Sequence, residues 1–251
     1  MDQAKVREVW RGGNSQIDAV LGRGFEEYLH SRRRWKDALC LDDGNVRCID
    51  GRTPGGIHLA GSGILLGLEG AEEFVRSAQK AMKKSYGVDV ITWHPDCGAA
   101  AVWSKENGGD VSANAKGFSE ELSGRLGLRS RRIENQGEDG FHHERAVYYD
   151  NTGLFDWSKA DLPVGFVVSR RYLDFDPAYA MSELGMAIGI ALGNHGFGEL
   201  FDEQRPFLVV SVAFKQDEQK RGALAKRECE KVVASLESKD QNRVKVVEAL
   251  I

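Results

Sequence analysis

Residues 45–52, NVRCIDGR, and residues 88–98, VDVITWHPDCG, decide how this chain is read. The run 88–93 is short, apolar and β-branched, as expected of a strand buried on both faces of a parallel sheet. Residues 37–50, DALCLDDGNVRCID, read as two short strands around an Asp-Asp-Gly-Asn turn. A glycine-rich connector over 51–63 follows, and then 69–85 place Phe74, Val75, Ala78 and Met82 at helical spacing. Strand, helix and strand in that order predict a right-handed parallel βαβ unit over 45–93. Ligands of open α/β sheets bind beyond the carboxyl ends of the strands. Both Cys48-Ile49-Asp50-Gly51-Arg52 and His94-Pro95-Asp96-Cys97-Gly98 fall at such an end.

Outside this unit, residues 15–30 put Ile17, Val20, Leu21, Phe25, Tyr28 and Leu29 on one helical face, with Asn14 or Ser15 as N-cap. Residues 104–116 read as loop, 117–127 as helix and 129–143 as polar and irregular. Strands are expected at 145–149, 164–168 and 207–214. A strong helix is expected over 177–193, opened by Asp176 and Pro177 and closed by Gly193. A charged helix over 216–242 and an edge strand over 244–251 complete the chain. No internal repeat or low-complexity tract is evident. The expected fold class is α/β: a mainly parallel β-sheet flanked by helices, with an extended C-terminal half. It is read as a single domain over 1–251, comprising a helical segment at 1–36, the βαβ core at 37–103 and the remainder at 104–251.

Composition bounds the function. The chain has 251 residues, 41% hydrophobic and 29% charged, the balance of an ordinary folded protein. A chain of this length buries about 70–75% of its unfolded surface and needs no disulfide staples. A net charge of −4 argues against a nucleic-acid partner; the short basic runs at 32–34, 129–132 and 170–171 read as solvated faces. No run approaches the ~18 apolar residues of a membrane span. The first ten residues lack the apolar core of a signal peptide, so a cytoplasmic location is expected. In that compartment the four cysteines, Cys40, Cys48, Cys97 and Cys229, are thiols or metal ligands.

Two adjacent parallel strands bring Cys48, His94 and Cys97 together. Two thiolates and an imidazole suit Zn2+, and three protein ligands leave the fourth position open, as in catalytic sites. Residues 48, 50 and 52 of an extended segment point to one side. Asp50 then lies beside the metal, held by Arg52 in a charge-assisted pair and able to orient the proton of a metal-bound water. Released by Arg52, Asp50 would instead close the site as fourth ligand. Cys40 is a second candidate for that fixed position. The glycines of 51–63 let the backbone pass close to the metal. That leaves Ala60, Gly61 and Gly98 as candidate walls of a substrate pocket. His142 and His143 read as a polar loop, a second metal site or a proton shuttle, and His195 as a helix cap.

The pattern Cys-x-Asp-x-Arg followed by His-x-x-Cys-Gly resembles the signature of the β-class carbonic anhydrases. The resemblance covers roughly residues 44–103. It implies Cys48, His94 and Cys97 as zinc ligands, and Asp50 with Arg52 as the dyad that orients hydroxide or gates the site. It implies reversible hydration of carbon dioxide to bicarbonate by metal-bound hydroxide. It also implies a homodimer or higher homo-oligomer whose pocket the partner subunit completes, for which the helix at 15–30 is a candidate packing surface. Leu59-Ala60-Gly61-Ser62 stands where the family carries Arg-Asn-Ala-Gly-Asn, and the two motifs are closer together than is usual there. The helix at 177–193 and the strand at 207–214 have no counterpart. Two alternatives follow: a hydrolase of carbonyl sulfide or carbon disulfide, and an inactive zinc-containing relative acting as a binding or structural protein.

Overall fold

The computed structural model describes residues 3–41, 44–82, 87–135 and 141–251. The chain opens with α1 (Gln3–Arg23) and α2 (Phe25–Ser31). The apolar face that sequence reading starts at Ile17 runs back through Trp10 to Val6, so Asn14 and Ser15 lie inside α1 and cap nothing. Gly24 at φ 85° splits the expected single helix, because an L side chain seldom adopts that backbone.

The first sheet holds β1 (Asn45–Arg47), β2 (Ile57–His58), β3 (Val90–Trp93) and β4 (Arg129–Arg132) in the order β2-β1-β3-β4, parallel throughout. The expected βαβ unit is present: α3 (Gly67–Met82) carries the chain towards β3 and buries Ala71, Phe74, Val75, Ala78 and Met82. Residues 83–85 of that expected helix lie outside the described residues, as do Asp42 and Asp43. The first of the two strands expected over 37–50 is instead a short 3-10 turn, Trp35–Leu39.

Residues 104–116 are helical rather than loop. They join the end of α4 (Gly98–Asn107) to the start of α5 (Val111–Leu126) across Gly108 and Gly109, both at positive φ. The Asp110 side chain caps α5 by accepting from the Ala113 N–H at 2.8 Å. The helices escape sequence reading because small and polar residues dominate this stretch. Arg129–Arg132 likewise forms β4 without an apolar alternation, because it is an edge strand with mostly exposed side chains.

The second sheet repeats the first. Its strands β5 (Ala146–Asp150), β6 (Gly165–Val168), β7 (Phe207–Ala213) and β8 (Val244–Leu250) are also all parallel, in the order β6-β5-β7-β8. Here α6 (Pro177–Leu192) crosses between β6 and β7, and α7 (Ala223–Ala234) leads with the short α8 (Ser238–Gln241) into β8. Asp176 caps α6 as expected, accepting from Tyr179 N–H at 2.9 Å with Pro177 in the first turn. The expected long helix at 216–242 is broken into a π-turn at Glu218–Gly222, α7 and α8. The topology is thus an internal repeat that no sequence similarity discloses.

Period-two alternation places the second sheet between two layers. Val147, Tyr149 and Val209 join the main core, shared with Val46, Ile91 and Phe74 of the first half. Tyr148, Leu208 and Val210 face the other way, against Ile17 and Val20 of α1 and Phe25 and Leu29 of α2. The helical face expected to pack on a partner subunit is therefore buried within its own chain. The halves are also joined through backbone: Val167 N–H donates to Ile49 O at 3.1 Å, and Ser169 N–H to His58 O at 3.4 Å. No helix among the described residues is long and apolar enough to cross a membrane.

Candidate metal centre

Cys48 follows β1, His94 follows β3, and Cys97 is the residue that opens α4. Because β1 and β3 are hydrogen-bonded neighbours, their carboxyl ends adjoin. Asp96 adopts left-handed backbone at φ 57°, a conformation that Asp tolerates, in the turn between His94 and Cys97. The Cys48 and Cys97 sulfurs lie 4.0 Å apart. One ligand atom from each of Cys48, His94 and Cys97 falls within 4.8 Å of the others, and all three residues are buried. Tetrahedral zinc with Zn–S bonds of about 2.3 Å separates two sulfurs by roughly 3.8 Å, close to what is found.

The imidazole is oriented for ligation. His94 Nδ1 is 2.8 Å from the Pro95 carbonyl, to which it donates. That leaves Nε2 buried and without a partner. A ring fixed at one nitrogen by a carbonyl and bare at the other is how metal-binding histidines are held. A hydrogen bond from Cys97 draws the Cys48 thiol well below the usual thiol range, and the same interaction pushes Cys97 well above it. Burial works against charge on His94, but the Cys48 sulfur beside it raises the imidazole overall. The donor set and its orphaned nitrogen fit a metal ion.

The backbone closes tightly around the sulfur. Gly61 N–H donates to Cys48 Sγ at 3.3 Å. At φ 54°, a Cβ on Gly61 would meet Ile64 Cγ2 at 2.8 Å and Ala99 Cβ at 2.9 Å. Buried His58 donates from Nδ1 to the Cys48 carbonyl at 2.6 Å, its charge disfavoured by burial.

Arg52 holds Asp50 away from the sulfurs. Its Nη2 lies 2.6 Å from Oδ2, its Nε 2.9 Å from Oδ1, and its backbone N–H donates to Oδ1 at 2.9 Å. Both residues are buried. Burial alone would raise the Asp50 carboxyl, but the Arg52 hydrogen bonds and charge hold it below the usual carboxylate range.

A cavity of about 20 Å³ lies over this group, room for a water-sized occupant. Cys48, Asp50, Ala60 and Gly98 line it from the first half. Phe166, Met186, Ile190 and His142 line it from the second. Gly61 reaches the centre through its N–H rather than as pocket wall. Of these second-half residues only His142 was marked by its sequence; the apolar three carry no signal, because only the packing of the halves brings them here. Buried Glu183 of α6 was also missed. It accepts from Ala60 N–H at 2.6 Å, and burial pushes its carboxyl up to about 8.

Cys40 is exposed and takes no part, so it is not a fourth ligand. Cys229 is a buried core thiol. His195 does not cap α6. Gly193 does, and the His195 carbonyl accepts from His142 N–H at 2.7 Å. Asp150 is engaged by the Thr152 and Phe155 N–H groups. Among the described residues, the Cys/His/Cys group that could hold a metal lies in the first half. Comparison with models of known protein families, with curated proteins and with solved structures gives no match.

Proposed function

We propose that the chain binds Zn2+ through Cys48, His94 and Cys97 and catalyses the reversible hydration of carbon dioxide to bicarbonate. The observation that carries this reading is the Asp50–Arg52 fork: the carboxylate that lines the same small cavity as Cys48 is held by a buried arginine instead of serving as a fourth ligand. Zinc, when bound, makes water acidic enough to give up its proton near neutral pH. Asp50, kept ionised, accepts a hydrogen bond from the nucleophilic oxygen and so fixes its attack direction. Arg52 keeps that carboxylate in place. Ala60, Phe166, Met186 and Ile190 offer an apolar wall to an apolar substrate and limit competing water. In the related enzymes the partner subunit completes the pocket; here the second half of the same chain supplies that wall.

Stopped-flow hydration of carbon dioxide by protein of measured zinc content, across about pH 6.5–9, tests the reading. A fast rate that rises with pH supports it. No rate at full zinc occupancy overturns it, and turnover of carbonyl sulfide instead would reassign the substrate.

A further inference from the structure

Hydration releases one proton for each bicarbonate formed, and that proton must leave a nearly closed pocket. On the far side of Asp50 lies a second, much larger cavity of about 850 Å³. Gly51, Arg52, His143, Glu144, Arg145 and Phe197 form its inner wall. Its rim reaches exposed Ser15 and Arg23 of α1, so it communicates with solvent. His142 lines the small pocket, Glu144 lines the large one, and the two side chains touch across the partition.

His142 Nδ1 stands 3.3 Å from Glu144 Oε2, 3.4 Å from Glu144 Oε1 and 3.9 Å from Asp50 Oδ1. Glu144 is buried, yet its Oε2 makes no hydrogen bond. An uncompensated buried carboxyl oxygen beside an imidazole needs a proton, a water or a cation. Asp50, His142 and Glu144 are close enough to hold a metal. Arg52 argues against that, because its guanidinium already occupies Asp50 and places a fixed positive charge at the group. A travelling proton meets neither objection.

We infer that His142 and Glu144 form the proton exit of this site, a reading that rests on the hydration activity proposed above. Neutral His142 takes up the proton at Nδ1 from pocket water beside Asp50. The imidazolium passes it to the Glu144 carboxylate, and the neutral carboxyl releases it to water in the large cavity. Histidine and carboxylate are then as they began, and one proton has moved from pocket to solvent. The charged groups facing His142 suit this traffic. Burial opposes its charge, Glu144 and Asp50 favour it, Arg52 disfavours it, and the balance raises the imidazole. Burial likewise raises Glu144, against the pull of His142. Both groups thus hold a proton more readily than their free counterparts, and their side chains are in contact.

The test uses full-length zinc-loaded protein as wild type, His142→Ala and Glu144→Gln. In dilute non-transferring buffer, kcat for hydration should fall at least about tenfold in both variants. Oxygen-18 exchange between carbon dioxide and bicarbonate, which needs no net proton loss, should stay within about twofold. Added imidazole should restore kcat in His142→Ala. A separate readout needs no activity: nitrogen-15 NMR of histidine in metal-free protein should show His142 titrating above an ordinary histidine, and lower in Glu144→Gln. Oxygen-18 exchange falling in step with kcat, failure of imidazole to rescue, or a His142 titration indifferent to Glu144→Gln would each overturn the relay. A wild type that neither hydrates nor exchanges overturns the hydration reading itself and removes the relay with it.

Discussion

Arg52 grips Asp50 at three points, through Nη2 at 2.6 Å, Nε at 2.9 Å and its own backbone N–H at 2.9 Å, in a setting almost closed to solvent. A pair so placed is a positioning device rather than a source of stability, because desolvation offsets most of the attraction between buried charges. Removing one partner exposes what the device does.

Asp50→Ala should therefore keep zinc at full stoichiometry while lowering hydration by about 10²–10⁴-fold, the usual contribution of a positioned acid–base group. Metal analysis beside stopped-flow rates checks both halves of the statement. Arg52→Ala leaves the buried carboxylate unpaired and should destabilise the fold by about 3–5 kcal/mol, read from urea midpoints.

Cys97→Ala removes one of three ligands and should abolish tight zinc binding. In wild type, zinc at about a thousand times its Kd should add roughly 4 kcal/mol to stability, so a chelator should lower the melting temperature. The Cys97→Ala protein should melt at the same temperature with and without chelator. Full zinc stoichiometry in that variant would refute the ligand assignment.

Gly61→Ala should be disproportionately harmful for the addition of one methyl. Positive φ opposes the side chain, and the new Cβ collides with Ile64 and Ala99. A loss of about 1–3 kcal/mol is expected from overpacking. Displacement of the Gly61 N–H from Cys48 should also weaken zinc binding, measurable by competition with a chromophoric chelator.

Glu183 makes the fold sensitive to pH. Burial raises its carboxyl to about 8 in the folded chain, whereas the unfolded group titrates near 4.5. Between these values the folded state holds a proton that the unfolded state has lost, so this group lowers stability as pH rises from about 4.5 to about 8. The loss is on the order of a few kcal/mol and levels off above the folded value. Glu183→Gln keeps an acceptor for Ala60 N–H and should flatten that decline. Urea denaturation at pH 5, 6.5 and 8 of wild type and variant makes the comparison; parallel slopes would remove Glu183 from the account.

The elements legible in the sequence were those with a strong local cause. VDVITW and FLVVSVAF announce buried strands because both faces of such a strand need apolar residues. Asp176 and Pro177 mark the start of α6 because an N-cap acceptor and a fixed φ act within one turn. Arg129–Arg132 and the helices meeting at Gly108 stayed hidden because their side chains are largely solvated, and nothing in a solvated pattern separates strand, helix and loop.

The same division holds for the site. Sequence by itself determined the ligand types and their placement at two strand ends, because the strands carry a strong local signal; Asp50 meets Arg52 not on the expected extended backbone but in a turn beyond β1, where Arg52 N–H donates to Asp50 Oδ1 and Thr53 N–H to the Asp50 carbonyl. Only the tertiary structure decided the rest. The doubling of one strand order into two sheets packs the second half over the first and brings Phe166, Met186 and Ile190 to a candidate metal site more than sixty residues away in the chain. It also buries Glu144 against His142 between two cavities. Contacts between segments so distant depend on how whole layers pack, and no local pattern of residues encodes that.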